Sequence, residues 1–165
     1  MDLKIRHLEL SDNHDLAELY SFTSVTANTS QKPFLSSDYV AGLFDNPNNY
    51  TLVAQCGDKV VGHVTLFMSH KVRDKHSAGL AIAIHPDSHG KGIGKALIKE
   101  IINQADNWLN LVRIELEVHA DNEVAKALYL ATGFEVEGTK RLSTFKAGRY
   151  VDMYLMSRIR PDHLS

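Results

Sequence analysis

A single cysteine, Cys56, excludes an intrachain disulfide and leaves no cysteine-built metal site. It lies in the apolar run "TLVAQC", which predicts a small buried thiol rather than a reactive one. No stretch approaches the roughly 20 apolar residues of a membrane span, and "MDLKIRHLEL" carries charges throughout, unlike a secretory leader. Long runs of one charge sign are also missing, and the formal net charge is only −2. Phosphate-backbone binding needs clustered Lys and Arg, so nucleic acid is not expected as a partner. Nine histidines are present, but none falls into HExxH or CxxC-type spacing, and no metal is expected. Repeats, low-complexity segments and Pro/Gly/Ser linkers are absent too. What remains is the profile of a cytoplasmic-type protein with one domain over residues 1–165, large enough to bury about 70% of its unfolded surface.

The hydrophobic pattern supplies the elements. "LKIRHLEL" alternates as a half-buried strand does, and "SDNHDLAELYSF" reads as a helix capped at Ser11 or Asp12. "TSVTANTSQKPFLSS" lacks a period and is expected to be a loop, of a length that usually serves function. A second helix, "SSDYVAGLFDN", starts at Ser36 or Ser37 and stops before Pro47. "YTLVAQCGDKVVGHVTLFMS" is a hairpin around Gly57-Asp58. "SAGLAIAI" is apolar at nearly every residue, which predicts a strand buried on both faces. Ile93, Leu97, Ile101, Ala105 and Trp108 follow at helical spacing, flanked by Ile98 and Ile102. "VRIELEV" is a strand, and "DNEVAKALYLATG" a helix capped at Asp121 or Asn122 with Gly133 past its end. Two last strands surround the turn "KAGR". The order β-α-α-β-β-β-α-β-α-β-β defines an α/β domain. Its central helix joins two parallel strands, and the remaining sheet is antiparallel.

One segment asks for a ligand. In "HPDSHGKGIGKAL" glycines recur at Gly90, Gly92 and Gly94, between a strand and a helix. A helix start offers free N–H groups and the positive end of its dipole, and glycines let an anion lie on the backbone. A tight strand-to-helix turn without ligand would need fewer glycines. Two phosphate loops fail on register. The nucleotide P-loop, with its lysine on Lys95, needs glycine where His89 stands and a hydroxyl where Ala96 stands. The dinucleotide fingerprint begun at Gly90 needs glycine where Lys95 stands.

The pattern that does fit is Q/R-x-x-G-x-G/A after an apolar-His-Pro strand end, matched by His89, Gly92 and Gly94. Here "LAIAIHPDSHGKGIGKALI" resembles the acetyl-CoA loop of the GNAT family of N-acetyltransferases. "DNEVAKALYLATGFEVEGT" resembles that family's second signature at Asn122, Ala125, Leu128, Tyr129, Gly133 and Phe134. The resemblance runs from about Asp2 to Arg158 and within the family is nearest to bacterial L-amino-acid N-acetyltransferases. His89 departs from the usual Gln or Arg; a neutral imidazole keeps one hydrogen bond but lacks a fixed charge.

The resemblance implies a single-domain GNAT fold: a mixed, mostly antiparallel sheet flanked by helices. It also implies acetyl transfer from acetyl-CoA to the primary amine of a small acceptor, in a ternary complex. The backbone of Ile82, Ala83 and Ile84 would pair with pantetheine. Backbone amides from Gly90 to Gly94, Ile93 included, would hold the pyrophosphate, with Lys91 and Lys95 adding charge or simply being solvated. Tyr129 sits where the family places its general acid; by spacing alone it reads equally as a core aromatic. Asn122 caps a helix, binds the cofactor, or does both. The base stays open among His76, His119, Glu117 and water. Phe22, Thr26, Asn28 and Phe34, with Tyr39, are expected along the acceptor, together with His76 and His119, and Tyr150 and Asp152 would close its other side. Two alternatives remain: acetylation of a protein N-terminus or lysine, and an idle CoA-binding module. A homodimer through the late strands is compatible with "RYVDMYLM".

Overall fold

The computed structural model describes residues 2–163. Seven strands form one sheet in the order β1-β2-β3-β4-β5-β7-β6. They are β1 (Leu3–His7), β2 (Asn49–Cys56), β3 (Lys59–Met68), β4 (Ser77–Ile84), β5 (Arg113–His119), β6 (Glu135–Lys146) and β7 (Arg149–Ile159). Every neighbouring pair is antiparallel except β4 and β5, which the helix α4 (Ile93–Asn107) connects as a parallel crossover. This is the expected mixed, mostly antiparallel sheet flanked by helices.

Two apolar layers clamp it. On one face α4 and α5 (Glu123–Ala131) bury Ile93, Leu97, Ile101 and Tyr129 against Val64, Leu66, Leu80, Ile114 and Leu116. On the other, α1 (Asn13–Leu19), α2 (Thr23–Thr26) and α3 (Ser37–Phe44) enclose Leu16, Leu19, Tyr20, Val25 and Val40 with Val53, Val60 and Ala83. Ser36 caps α3 by accepting from the Tyr39 N–H. Asp12 precedes α1 without capping it, because its carboxylate is held bidentate by Arg6 at 2.8 Å.

Four expectations are corrected. The stretch read as a loop contains the helical turn α2. Cys56 is only half-buried, at the last position of β2 beside the hairpin turn. Trp108 leaves the apolar stripe of α4 at its C-cap and is 78% exposed. Finally, β4 is not buried on both faces, since Ala81, Ile82 and Ile84 are only half-covered.

The reason lies in its pairing. β4 is hydrogen-bonded to β3 along its whole length, from Met68↔Ala78 to Gly62↔Ile84. Toward β5 only Ser77↔Arg113, Ala78↔Ile114 and Gly79↔Glu115 pair, after which the strands part. β5 itself continues against β7 as far as His119↔Met153. The backbone edge of Leu80–Ile84 is thus left open inside the sheet.

Candidate functional site

The open edge leads into the glycine loop. His85 follows the strand, and the His89 ring turns back, its Nε2–H donating to the Ile84 carbonyl at 3.0 Å. The motif's first side chain therefore braces the loop against the strand. Gly90 and Gly92 adopt φ of +75° and +78°, and a Cβ added at either would meet nothing within 4 Å. Their backbone is left-handed and faces free space, as a cradle for a ligand requires. Gly94 differs: its φ is ordinary, and a Cβ there would lie 3.3 Å from Leu128 Cδ2. It lets α4 and α5 pack closely. Gly92 is the N-cap of α4 and supplies no side-chain cap, so the first-turn amides of Ile93, Gly94 and Lys95 lack intrahelical acceptors.

Around this loop runs a cleft of about 500 Å³. Ile82, Ala83, Ile84, His89, Gly90, Gly92, Ile93, Gly94, Lys95, Asn122 and Tyr129 all line it. Lys91 does not; it is exposed on the outside of the loop. Asn122 caps α5, its Oδ1 accepting from Ala125 N–H at 3.3 Å, and borders the cleft as well.

A second cavity, of about 290 Å³, opens on the α1–α3 face. The β3–β4 register forms it: Gly79, Ala81 and Ala83 lie opposite Phe67, Thr65 and His63 on one face. Small side chains on β4 leave the hollow, and Glu117 and His119 of β5 stand across the gap. Asn28–Gln31 roof it. The two cavities share Asn28, Thr29, Ile82 and Tyr129, and these residues mark where they meet.

Tyr129 is 6% exposed, its ring tilted against Phe134 at 5.8 Å, and burial pushes its phenol up to about 12. His119 is buried, with Nδ1 unpartnered among the described residues. Burial and then the Lys146 charge hold its pKa below the usual imidazole value, against an opposing pull from Asp121. Glu117 accepts an ion pair from Lys140.

Of the expected acceptor residues, Asn28 and His119 reach the cavity and five do not. Phe22 packs edge-on to His85 at 4.8 Å, and Thr26 is buried with its hydroxyl donating to the Thr23 carbonyl. Phe34 is 83% exposed at φ +61°, and His76 is exposed at the far end of β4. Tyr39 and Tyr150 also face solvent, and the Asp152 carboxylate accepts from Leu142 N–H. Tyr20, His63 and Thr65 line the cavity without having been singled out from the sequence. The alternation of small residues in "SAGLAIAI", which on its own reads only as an apolar buried strand, is the sequence signal that could have disclosed this hollow. Lys146 was missed as well. Its ammonium donates to the Ala27 carbonyl, Asn28 Oδ1 and Asp121 Oδ1 at 3.2, 3.3 and 2.9 Å, tying the roof to the β6–β7 hairpin.

A sheet split beside a glycine-initiated helix defines an acyltransferase of the GNAT type, and the acetyltransferase (GNAT) family model matches residues 11–134. The chain belongs to the GNAT family. Among characterised relatives, it is 36% identical over 160 residues to the L-amino acid N-acetyltransferase AaaT of Escherichia coli K12, covering 96% of this chain and 99% of that one. It is 28% identical to the spermidine N(1)-acetyltransferase of Vibrio cholerae, over 99% of this chain and 96% of that one. The crystal structure of the Vibrio cholerae spermidine N-acetyltransferase in complex with CoA and spermine superposes with a TM-score of 0.86 at 28% identity, covering 99% and 98% of the two chains. The protein is thus an acyltransferase close to amino-acid and spermidine acetyltransferases. Among the described residues no helix is long and apolar enough to cross a membrane.

Proposed function

We propose that this enzyme transfers an acetyl group from acetyl-CoA to the primary amine of a small acceptor, an amino acid. The observation that carries the reading is the meeting of two cavities at Tyr129 and Ile82, one with an anion cradle and one without. The cleft fits coenzyme A. Free amides at Gly90–Lys95 suit a pyrophosphate, Lys95 adds charge, and the unpaired edge of Ile82–Ile84 suits the amides of pantetheine. Bound there, acetyl-CoA supplies the acetyl thioester.

The chain's own residues account for the rest. The α1–α3 cavity admits the amine, whose ammonium form gives one proton to solvent; the amine then attacks the thioester carbon as a neutral nucleophile. A C–N bond forms and the C–S bond breaks. Tyr129, still a neutral phenol at physiological pH, gives its proton to the departing sulfur and regains one from the new amide nitrogen. One proton is released overall.

The cavity's charge supports this acceptor class. Its single lining carboxylate, Glu117, is already ion-paired with Lys140, whereas a polycation asks for several free carboxylates. Spermidine acetylation is the second reading, favoured by the relatives' activities rather than by the cavity. Thiol release from acetyl-CoA across amino acids, polyamines and short peptides decides. Turnover with amino acids supports the proposal, turnover confined to spermidine and spermine moves it to the second reading, and turnover confined to peptides to a protein acceptor.

A further inference from the structure

The acceptor cavity contains a fully internal chain of neutral polar groups that the proposed chemistry has not used. Tyr20 Oη lies 2.7 Å from His63 Nε2, His63 Nδ1 lies 3.1 Å from Thr65 Oγ1, and Thr65 Oγ1 lies 2.9 Å from Thr51 Oγ1. Tyr20, His63 and Thr65 line the cavity; Thr51 does not, sitting behind Thr65 on β2. All four are buried. The Phe44 ring closes edge-on over His63 at 4.8 Å. Burying four polar side chains in one line costs stability unless each is satisfied, and such a line has a definite polarity.

Counting protons shows what this polarity controls. Each hydroxyl carries one hydrogen and a neutral imidazole one, giving four for three links. One donor is therefore left over, at either end or at Thr65, whose oxygen can accept from both Nδ1–H and Thr51. With the chain running inward, Tyr20 donates to Nε2, Nδ1–H donates to Thr65, and Thr65 donates to Thr51; the Tyr20 oxygen then offers a lone pair to the cavity. With the chain reversed, Nε2–H donates to Tyr20, and the phenol offers its proton instead. The line stays neutral in both states, because burial holds His63 down at about 3. It is therefore an orienting device and not a base.

We infer that Tyr20 is the group that receives the acceptor's amine, and that His63, Thr65 and Thr51 are positioning residues that hold the Tyr20 oxygen as a hydrogen-bond acceptor. This rests on the proposed transfer to a small amine. An attacking amine must turn its lone pair toward the junction at Ile82 and Tyr129, so its N–H bonds need acceptors behind it. The one carboxylate there is engaged by Lys140, and the Tyr20 oxygen meets the need without a buried charge. An inward-running chain also fixes His63 as the Nδ1–H tautomer when acceptor is bound.

The test compares wild type, Tyr20→Phe and Thr51→Val with the amino acid that turns over best. It reads acceptor KM, kcat and CoA affinity, together with ¹⁵N NMR of histidine-labelled wild type holding CoA and that amino acid. Thr51→Val touches no ligand. It removes the acceptor for the Thr65 hydroxyl, leaving Nδ1 as its remaining partner in the line and so favouring the reversed direction. Both variants are expected to raise acceptor KM about tenfold, the worth of one hydrogen bond, while kcat and CoA affinity hold. The His63 ring is expected as Nδ1–H. Unchanged KM in both variants, or an Nε2–H ring in wild type, overturns the inference while leaving acetyl transfer intact. If a variant fails to fold, the wild-type tautomer decides alone. Absence of turnover in wild type with every amine overturns both the transfer reading and this one.

Discussion

His63 is where a single residue couples stability to function most plainly. It is wholly buried, and its pKa falls from 6.5 to about 3 through loss of solvation. The folded state therefore binds fewer protons than the unfolded chain between these values. The stability it contributes is fully present above pH 6.5 and is lost as pH falls toward 3. Chemical denaturation across that window should show a His63-dependent slope approaching about 1.4 kcal/mol per pH unit, flattened in His63→Gln. Equal slopes in the two proteins would remove this assignment. Tyr129 has the opposite sign. Its phenol, raised from 10 to about 12, keeps its proton in the fold, so stability from this group holds below pH 10 and declines above it. The proton donation proposed for it accordingly predicts no loss of kcat from phenol ionisation between pH 7 and 10, measured with saturating acceptor.

At the scale of elements, the turn from β4 into α4 separates ligand binding from packing within three alternate glycines. Gly92→Ala puts a side chain at φ +78°, where the left-handed conformation costs roughly 1–2 kcal/mol, and into the open space of the cleft. Its larger expected effect is on CoA, with a dissociation constant raised about tenfold or more by calorimetry. Gly94→Ala places a Cβ 3.3 Å from Leu128 Cδ2, the end of a flexible side chain between α4 and α5, so its chief effect should fall on the melting temperature rather than on CoA affinity. If both substitutions moved CoA affinity and melting temperature in the same proportion, the division between cradle and packing would be wrong. Gly62 marks the same junction from β3, where a Cβ would stand 2.7 Å from Ile84 Cδ1 and 3.1 Å from the Ala83 carbonyl.

Across the whole molecule, distant segments of chain meet over the junction. Lys146, near the end of β6, holds Ala27 and Asn28 while pairing with Asp121 after β5. Asn28 and Thr29 border both cavities, so this contact ties the hairpin to the walls of both. Lys146→Met should weaken CoA and the acceptor together, each several-fold, in separate titrations; an effect on one alone would show the roof to be independent of the clip.

Such contacts explain what the sequence could and could not disclose. The glycine loop, α4, the Asn122 cap and Tyr129 all lie within two local stretches whose spacing encodes their geometry, and the strands follow from alternation. The acceptor cavity comes instead from register. Thr51, Thr65 and Ala81 are far apart in sequence and align only when β2, β3 and β4 pair. Phe22 and Phe34 read as an apolar wall by composition, but one packs on His85 and the other turns outward. No periodicity in an irregular segment distinguishes those outcomes. The splay of β4 from β5 likewise depends on hydrogen bonds that are not made, which leave no mark on residue type.

The central claim is that acyl transfer takes place where the two cavities meet, at the Tyr129 hydroxyl. The most direct measurement is thiol release and N-acetyl product formation by wild type and Tyr129→Phe side by side, with CoA affinity determined for both. The account predicts equimolar thiol and acetylated amine from wild type, a kcat reduced by about 10²-fold or more in the variant, and an unchanged CoA dissociation constant. Equal turnover by the two proteins would contradict it and place the chemistry elsewhere.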